Sequence, residues 1–159
     1  MKKIVSFFLI ALLLAGCTQQ AEVPSSLPTT LPAVTAPQEV PLLLYLPDEN
    51  VESWVTEEVS IPELSARYIL ESLIAYGVLA DGIAINQFSQ EGSHLAVDWN
   101  EAFASFVSSM GTAGEYITFG SVVNTFLTAY GAESIAMTVE GNVIETGHSI
   151  YDNPLSFYE

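Results

Sequence analysis

The chain has 159 residues, of which 50% are hydrophobic, and its formal charge at pH 7 is −16. This length and hydrophobic content suffice for one folded domain with a core of its own, whereas the charge excludes nucleic acid as a ligand, because lysines and arginines are needed to displace the counterions of phosphate. Cys17 is the only cysteine, which excludes an intramolecular disulfide framework and a thiolate metal site.

The first 16 residues have the pattern of a bacterial export signal. Lys2 and Lys3 precede an apolar run, residues 4–14, that is too short for a permanent membrane span. Residues 14–17 read Leu-Ala-Gly-Cys, which resembles the lipobox of bacterial lipoproteins and implies cleavage before Cys17 and diacylation of its thiol. Two acyl chains form a stable anchor. We therefore predict a lipid-anchored protein at the outer, extracytoplasmic face of a bacterial cell membrane.

A proline-rich tether is predicted between the anchor and a folded domain. Residues 17–40 are rich in Pro, Thr, Ser and Ala and contain no aromatic residue. Prolines favour extended backbone, so at about 3 Å per residue the tether would reach at most about 70 Å from the membrane. Once Lys2 and Lys3 are removed, 19 acidic residues oppose Arg67 alone, a formal charge of −18. The folded domain is predicted to span residues 41–159.

The first half of this domain is predicted to contain two strands and one helix. Residues 42–46 are continuously apolar, the pattern of a central strand covered on both faces. Residues 53–59 indicate a short second strand. Ser60 and Glu63 have the spacing of a capping box, which predicts that a helix begins there and ends at Gly77.

A hairpin and a short helix are predicted next. Strands near residues 85–89 and 95–99 flank a turn at Gly92. Asn100 is predicted to cap a short helix over residues 101–110.

The longest predicted helix begins after this short one. Apolar residues recur at three- and four-residue steps from Tyr116 to Tyr130, which predicts one apolar face. Thr112 and Glu115 indicate a capping box at its start and Gly131 a left-handed cap at its end. A half-buried strand over 135–139 and a polar, aromatic tail follow.

The element order is therefore β(β)αββ(α)αβ. This order predicts an α+β fold, a small two-layer sandwich in which two main helices pack on one mixed or antiparallel sheet.

Six short segments follow one another along the folded domain: Leu44 to Asp48, Val59 to Pro62, Val97 to Trp99, Val122 to Leu127, Val139 to Gly141 and Asp152 to Pro154. In their order and spacing they resemble the GerMN domain, the sporulation and spore-germination domain of bacterial envelope lipoproteins. The resemblance implies a fold similar to the ring-building domains of secretion and sporulation channels, and a protein that acts by contacts in the envelope. Two departures are the absence of a proline after Gly77 and the presence of a single copy of the domain, where sporulation members often have two.

No catalytic, cofactor or metal site is predicted. Asp98 and Glu101 could bind Ca²⁺ or act in acid–base chemistry, but capping of the following helix is the favoured interpretation. His94 and His148 lack the spacing of metal-ligand motifs. The sequence also has neither a G-x-S-x-G elbow nor a glycine-rich phosphate loop. We therefore predict a protein that is not an enzyme.

Asn124 and Thr125 interrupt the apolar part of the long helix. Either they bond to backbone groups at a buried helix edge, which is favoured, or they form a notch that faces a partner or ligand.

The sequence leaves two functions open for this protein. The first is a non-catalytic module whose protein contacts assemble or position an envelope complex, in sporulation, germination or wall maintenance, with Trp54, Asn124, Thr125 and Tyr151 as predicted contact residues. The alternative is a module that binds peptidoglycan, another carbohydrate or a small ligand through Trp54, Tyr151 and Tyr158, because aromatic rings can stack on sugars. The charge of the mature chain opposes binding to an anionic wall.

Overall fold

The structure, a computed structural model, describes residues 39–159 as seven strands and three helices. In chain order these are β1 (Val40–Pro47), β2 (Trp54–Ile61), α1 (Ala66–Ala75), β3 (Ile85–Glu91), β4 (His94–Trp99), α2 (Glu101–Ser108), α3 (Thr112–Tyr130), β5 (Ser134–Val139), β6 (Asn142–Glu145) and β7 (Ile150–Tyr151). The predicted α+β class is confirmed. The export signal, the lipobox and all but the end of the tether lie outside the described residues. No helix within 39–159 combines the length and the hydropathy that crossing a membrane requires.

The strands form two sheets and not the single sheet predicted from the sequence. β1 and β2 pair with each other as an antiparallel ribbon, and the second sheet has the order β3-β4-β5-β6-β7. Within the larger sheet β4 and β5 are parallel and the other neighbours are antiparallel. The strands β6 and β7 arise from the predicted tail.

The prediction of β1 as a central strand is therefore wrong. Leu42 and Leu44 are buried on one face, whereas Leu43 and Tyr45 on the other face are only partly covered. The edge of β1 that faces away from β2 is covered by helix α3, where the Tyr45 N–H donates to Thr125 Oγ1 at 3.1 Å. A side chain from a helix thus takes the place of a neighbouring strand.

Helix α3 is the centre of the fold. It contacts β1 of the ribbon and β5 of the larger sheet, and every residue from Ile117 to Leu127 is buried. The predicted single apolar face is therefore wrong, since a helix covered on all sides must be compatible with the interior all round. Its left-handed end at Gly131 (φ 60°) is confirmed.

Neither predicted capping box forms. Helix α1 begins after Ser65, whose side chain accepts from the Tyr68 N–H, while Ile61 still belongs to β2. Helix α3 is preceded by Gly111 without a side-chain cap. Glu115 is instead drawn into the interior, where it binds side chains of the C-terminal region.

Asn100 is the residue before α2, as predicted, but its side chain does not cap that helix. It accepts from the Ala84 N–H at 3.1 Å and donates to the Gly82 carbonyl at 2.9 Å. The amide therefore fixes the loop that leads into β3.

The core lies among the ribbon, the helices and one face of the larger sheet, and it includes Leu42, Leu44 and Ile61 of the ribbon. Its largest fully buried side chains are aromatic, with the rings of Trp99 and Phe103 stacked at 4.6 Å. The other face of this sheet is partly exposed and has small side chains at its centre, Ala96 and Ala136.

Candidate functional site

Five aromatic side chains from three parts of the fold meet in one region, which we call the aromatic surface. They are Tyr45 and Trp54 from the ribbon, Tyr116 from α3, and Phe157 and Tyr158 from the C-terminal segment. The side chains of Tyr116 and Phe157 are each 47% exposed. Aromatic rings left this open next to a packed core are unusual enough to mark a candidate contact site.

The rings of the aromatic surface are inclined to one another. The Trp54 ring centre lies 5.6 Å from that of Tyr116 and 6.1 Å from that of Tyr158, with interplanar angles of 46° and 75°. Tyr116 and Tyr158 are 5.1 Å apart at 60°, and Phe157 meets Tyr45 edge-on at 5.4 Å. The two edge-to-face pairs, Trp54 with Tyr158 and Tyr45 with Phe157, have a favourable geometry that helps to hold the rings in place.

Trp54 is fixed by helix α3. Its indole N–H donates to the Ile117 carbonyl at 3.0 Å. The six-membered part of the indole lies against Gly120, where a β-carbon would stand 2.7 Å from Cε2 and 2.9 Å from Cη2. Only glycine leaves room for the ring at this point of the helix. The absence of a side chain at Gly120 is therefore part of the site.

Asn124 and Thr125 lie in the interior, below the aromatic surface. Asn124 Nδ2 donates to the Tyr158 carbonyl at 2.9 Å, and its Oδ1 accepts from the Tyr158 N–H at 2.8 Å. The amide thus replaces a strand partner for the end of the chain. Thr125 in the same way holds the backbone of Tyr45. Burial raises the pKa of Tyr158 to about 12, with the nearby Tyr116 as a further cause.

Tyr151 lies apart from the aromatic surface and joins β7 to α3. Its ring stacks on Phe119 at 3.9 Å and 6°. Its hydroxyl donates to Glu115 Oε1 at 2.7 Å, and Thr146 donates to the same oxygen at 2.9 Å. Burial, with this hydrogen bond as the second cause, raises the pKa of Tyr151. Tyr151 is therefore occupied in holding the C-terminal strands to the helix.

The carboxylate of Asp98 connects strands and is not part of a metal cluster. Its Oδ1 accepts from Thr138 Oγ1 at 2.6 Å and from the Gly141 N–H at 2.7 Å. These bonds, that of Thr138 first, lower the pKa of Asp98. Residues 39–159 contain no group of three His, Cys, Asp or Glu side chains arranged to hold a metal ion.

The two histidines also bind separate partners. His94 Nδ1 is 2.8 Å from Ser134 Oγ, and His148 Nδ1 is 3.2 Å from Thr112 Oγ1. Both rings are exposed, one on the larger sheet and one before β7.

The structure thus brings Trp54 and Asn124 of the predicted contact residues to one region, with Thr125 beside them and Tyr151 elsewhere. Three members of the aromatic surface were not predicted as site residues: Tyr45, Tyr116 and Phe157. Tyr116 was assigned to the buried face of the helix because its spacing fits that face. The adjacent aromatic pair at 157–158, near the end of the chain, was the signal that could have identified Phe157 as a site residue.

Comparison with known proteins agrees with the predicted lipid anchor and with the predicted fold. Residues 1–18 match the model of the prokaryotic membrane lipoprotein lipid attachment site, which supports a lipid anchor. No curated protein matches the chain.

Among solved structures, the first GerMN domain of the sporulation protein GerM from Bacillus subtilis matches with a TM-score of 0.54 and 17% identity, over 74% of this chain and 97% of that chain. The tandem GerMN domains of the same protein match with a TM-score of 0.56 and 16% identity, over 75% of this chain and 46% of that chain. A Clostridium perfringens protein solved at 2.5 Å matches with a TM-score of 0.49 and 14% identity, over 74% of this chain and 87% of that chain. At these identities the likeness is one of fold alone. The chain has a GerMN-like fold, as the sequence resemblance implied.

Proposed function

We propose that this protein is a non-catalytic, lipid-anchored interaction module of the bacterial envelope and that its aromatic surface binds a protein partner. The observation that carries the proposal is the exposure of Tyr116 and Phe157 on a rigid support. Aromatic side chains dominate the binding energy of protein interfaces when they are held in place before binding. Here the supports are Trp54 and the backbone clamp of Asn124.

The predicted contact residues then have two kinds of role. Trp54 contributes ring surface to the interface. Asn124 and Thr125 act from below, because each fixes the backbone of an aromatic residue, Tyr158 and Tyr45 respectively. Tyr151 contributes indirectly, by attaching the C-terminal strands to α3 through Glu115.

A protein partner is favoured over a glycan by the inclination of the rings. Sugar stacking needs an open ring face, whereas Trp54, Tyr116 and Tyr158 meet at angles of 46° to 75°. The Tyr151 ring lies flat against Phe119. The strong negative charge of the chain also opposes an anionic wall polymer.

The N-terminal region would attach the folded domain to the membrane. In this proposal residues 1–16 are removed, lipidated Cys17 anchors the mature chain at the extracytoplasmic face, and residues 17–40 serve as the tether. One relative of the same fold is a sporulation protein, so we extend the proposal to an envelope complex of that kind.

The test is photo-crosslinking in living cells with the full-length protein. A photoreactive phenylalanine analogue at Tyr116 or at Phe157 should yield one recurrent protein adduct, identified by mass spectrometry. Val143 is the matched control, because it is apolar and 52% exposed but lies in β6. Glycan adducts alone, no adduct from either position, or the same adduct from Val143 would overturn the proposal.

A sedimentation assay separates the glycan alternative. The protein should remain in the supernatant when mixed with protein-free sacculi at low and at high salt. Co-sedimentation at both salt concentrations that is lost with Tyr116→Ala would instead assign the aromatic surface to a wall glycan.

A further inference from the structure

We infer that the free edge of β2 and the groove beside it bind an extended, positively charged segment of a partner protein, which adds to the ribbon as a third strand. This inference rests on the proposed role in protein contacts but uses a surface other than the aromatic surface. Its evidence is the hydrogen-bond pattern of the ribbon, the groove along α1 and the charges that border both.

The outward edge of β2 has backbone groups without a neighbouring strand. Within residues 39–159, β2 pairs with β1 alone. The Tyr45 N–H points away from β2, towards Thr125, so Tyr45 and its cross-strand partner Thr56 form a non-hydrogen-bonded pair. The N–H and C=O of Thr56 therefore point outward, and by alternation so do those of Glu58 and Ser60. These residues are exposed, and together they form a template for strand addition.

A groove of about 460 Å³ lies between this strand and α1. Val59 and Ile61 of β2 line one side, and Tyr68 and Ser72 of α1, with Tyr76 just after the helix, line the other. A strand added to the edge of β2 would place alternate side chains over this helix face. The groove is thus suited to an extended chain with side chains of moderate size.

The glutamates at the edge of β2 favour a positively charged partner segment. Glu57 and Glu58 lie on β2, with Glu57 held by the Tyr76 hydroxyl at 2.9 Å. Across the groove, Glu71 is already paired with Arg67 at 2.8 Å, the single arginine of the chain. Two copies of this edge would bring glutamates against glutamates, which disfavours self-pairing. A segment with lysines or arginines meets a complementary edge.

The test separates backbone pairing from attraction by charge. Thr56→Pro removes one outward N–H and leaves the bonds to β1 and every charge in place, since proline is tolerated on an exposed strand edge. Thr56→Val is the matched control, because it keeps the N–H and the branched shape. The probe is a short peptide that alternates lysine with threonine, titrated into the full-length protein in detergent micelles. Binding should weaken about tenfold for Thr56→Pro and stay unchanged for Thr56→Val.

Hydrogen exchange supplies the second readout. The bound peptide should slow exchange at the amides of Thr56, Glu58 and Ser60. Equal affinity of the two variants, or binding without protection of these amides, would reduce the effect to nonspecific attraction and overturn the inference.

Crosslinking from Ser60 in cells then identifies the occupant. An adduct to another protein supports the inference, whereas an adduct to a second copy or to the N-terminal segment of the same chain overturns it. Tyr116→Ala should leave peptide binding intact, so failure at the aromatic surface and failure at the β2 edge are distinguished.

Discussion

Gly120→Ala tests how the aromatic surface is supported. The new methyl group would lie within 3 Å of three atoms of the Trp54 indole, Cζ2, Cε2 and Cη2, and all three are closer than real β-carbon contacts come. The backbone of α3 is enclosed by the ribbon and the larger sheet, so the helix cannot move aside. We expect Trp54 to be displaced from the helix and to expose its ring.

The expected loss of stability follows from three terms. Removing a buried aromatic side chain costs about 3–5 kcal/mol, and since Trp54 is only half-buried its displacement should cost about 2 kcal/mol. Loss of the bond from its indole to the Ile117 carbonyl adds about 1 kcal/mol. Alanine is better than glycine within a helix by about 1 kcal/mol. The free energy of unfolding should therefore fall by about 2 kcal/mol, which lowers Tm by roughly 8 °C in a domain of this size.

A double-mutant cycle measures this coupling. Thermal and denaturant unfolding of the wild type, Gly120→Ala, Trp54→Ala and the double variant give the four free energies. In the Trp54→Ala background the same glycine replacement should become stabilising by about 1 kcal/mol, so its sign reverses. Fluorescence provides a direct readout, because emission from Trp54 should shift to the red while fully buried Trp99 stays unchanged.

The matched control is Gly114→Ala in the same helix. A β-carbon there would be 3.6 Å from Met110 Cβ, an ordinary contact, so this variant should be neutral or slightly stabilising. If Gly120→Ala behaves like Gly114→Ala, or if its effect is the same with and without Trp54, the packing of the indole on the helix is refuted.

Three further perturbations test the supports of the site and the fold. Asn124→Ala should cost about 2 kcal/mol, since both backbone bonds to Tyr158 are lost, and limited proteolysis should trim the C-terminus faster; an unchanged rate would contradict the clamp. The folded pKa of Asp98 is lowered, so its contribution is present above its unfolded pKa of about 4 and lost as the pH falls. Asp98→Asn should therefore reduce stability at neutral pH and flatten the acid branch of unfolding followed by circular dichroism, and an unaltered acid branch would count against this role. Burial raises the pKa values of Tyr151 and Tyr158, that of Tyr158 to about 12. The contribution of these tyrosines to stability is therefore fully present below their unfolded pKa of about 10 and is lost as the pH rises above it. Tyr151→Phe should lessen this alkaline loss of stability, measured by equilibrium unfolding across that range, and an equal loss would exclude Tyr151 as a cause.

The elements from β1 to β5 could be predicted from the sequence because their signals are local. Alternation of apolar residues located β4 and β5, and helical spacing located α1 and α3. The two predicted capping boxes were wrong for a related reason. Thr112 and Glu115 have the spacing of a capping box, but Glu115 finds stronger partners in Tyr151 and Thr146, more than 30 residues away. A local motif does not form when a distant contact competes for the same side chain.

The candidate site was only partly predictable. Trp54 could be identified as an aromatic residue on a predicted strand with acidic neighbours. Asn124 could be identified as a polar residue that interrupts an apolar helix. That the amide binds the backbone of Tyr158, 34 residues later, depends on where the end of the chain returns. The exposure of Tyr116 likewise follows from how much of the helix the ribbon covers, which no periodicity encodes.

The sequence by itself determined the acidic character, the lipoprotein pattern of the N-terminus, the order of the helices and strands as far as β5 and the resemblance to GerMN domains, because composition, spacing and short motifs are properties of neighbouring residues. Only the tertiary structure decided that the strands divide into two sheets, that α3 is enclosed by both, and that Gly120 makes room for an indole. Those outcomes depend on close contacts between segments far apart in the chain. In such contacts a single missing β-carbon or one amide group decides which surface faces the solvent.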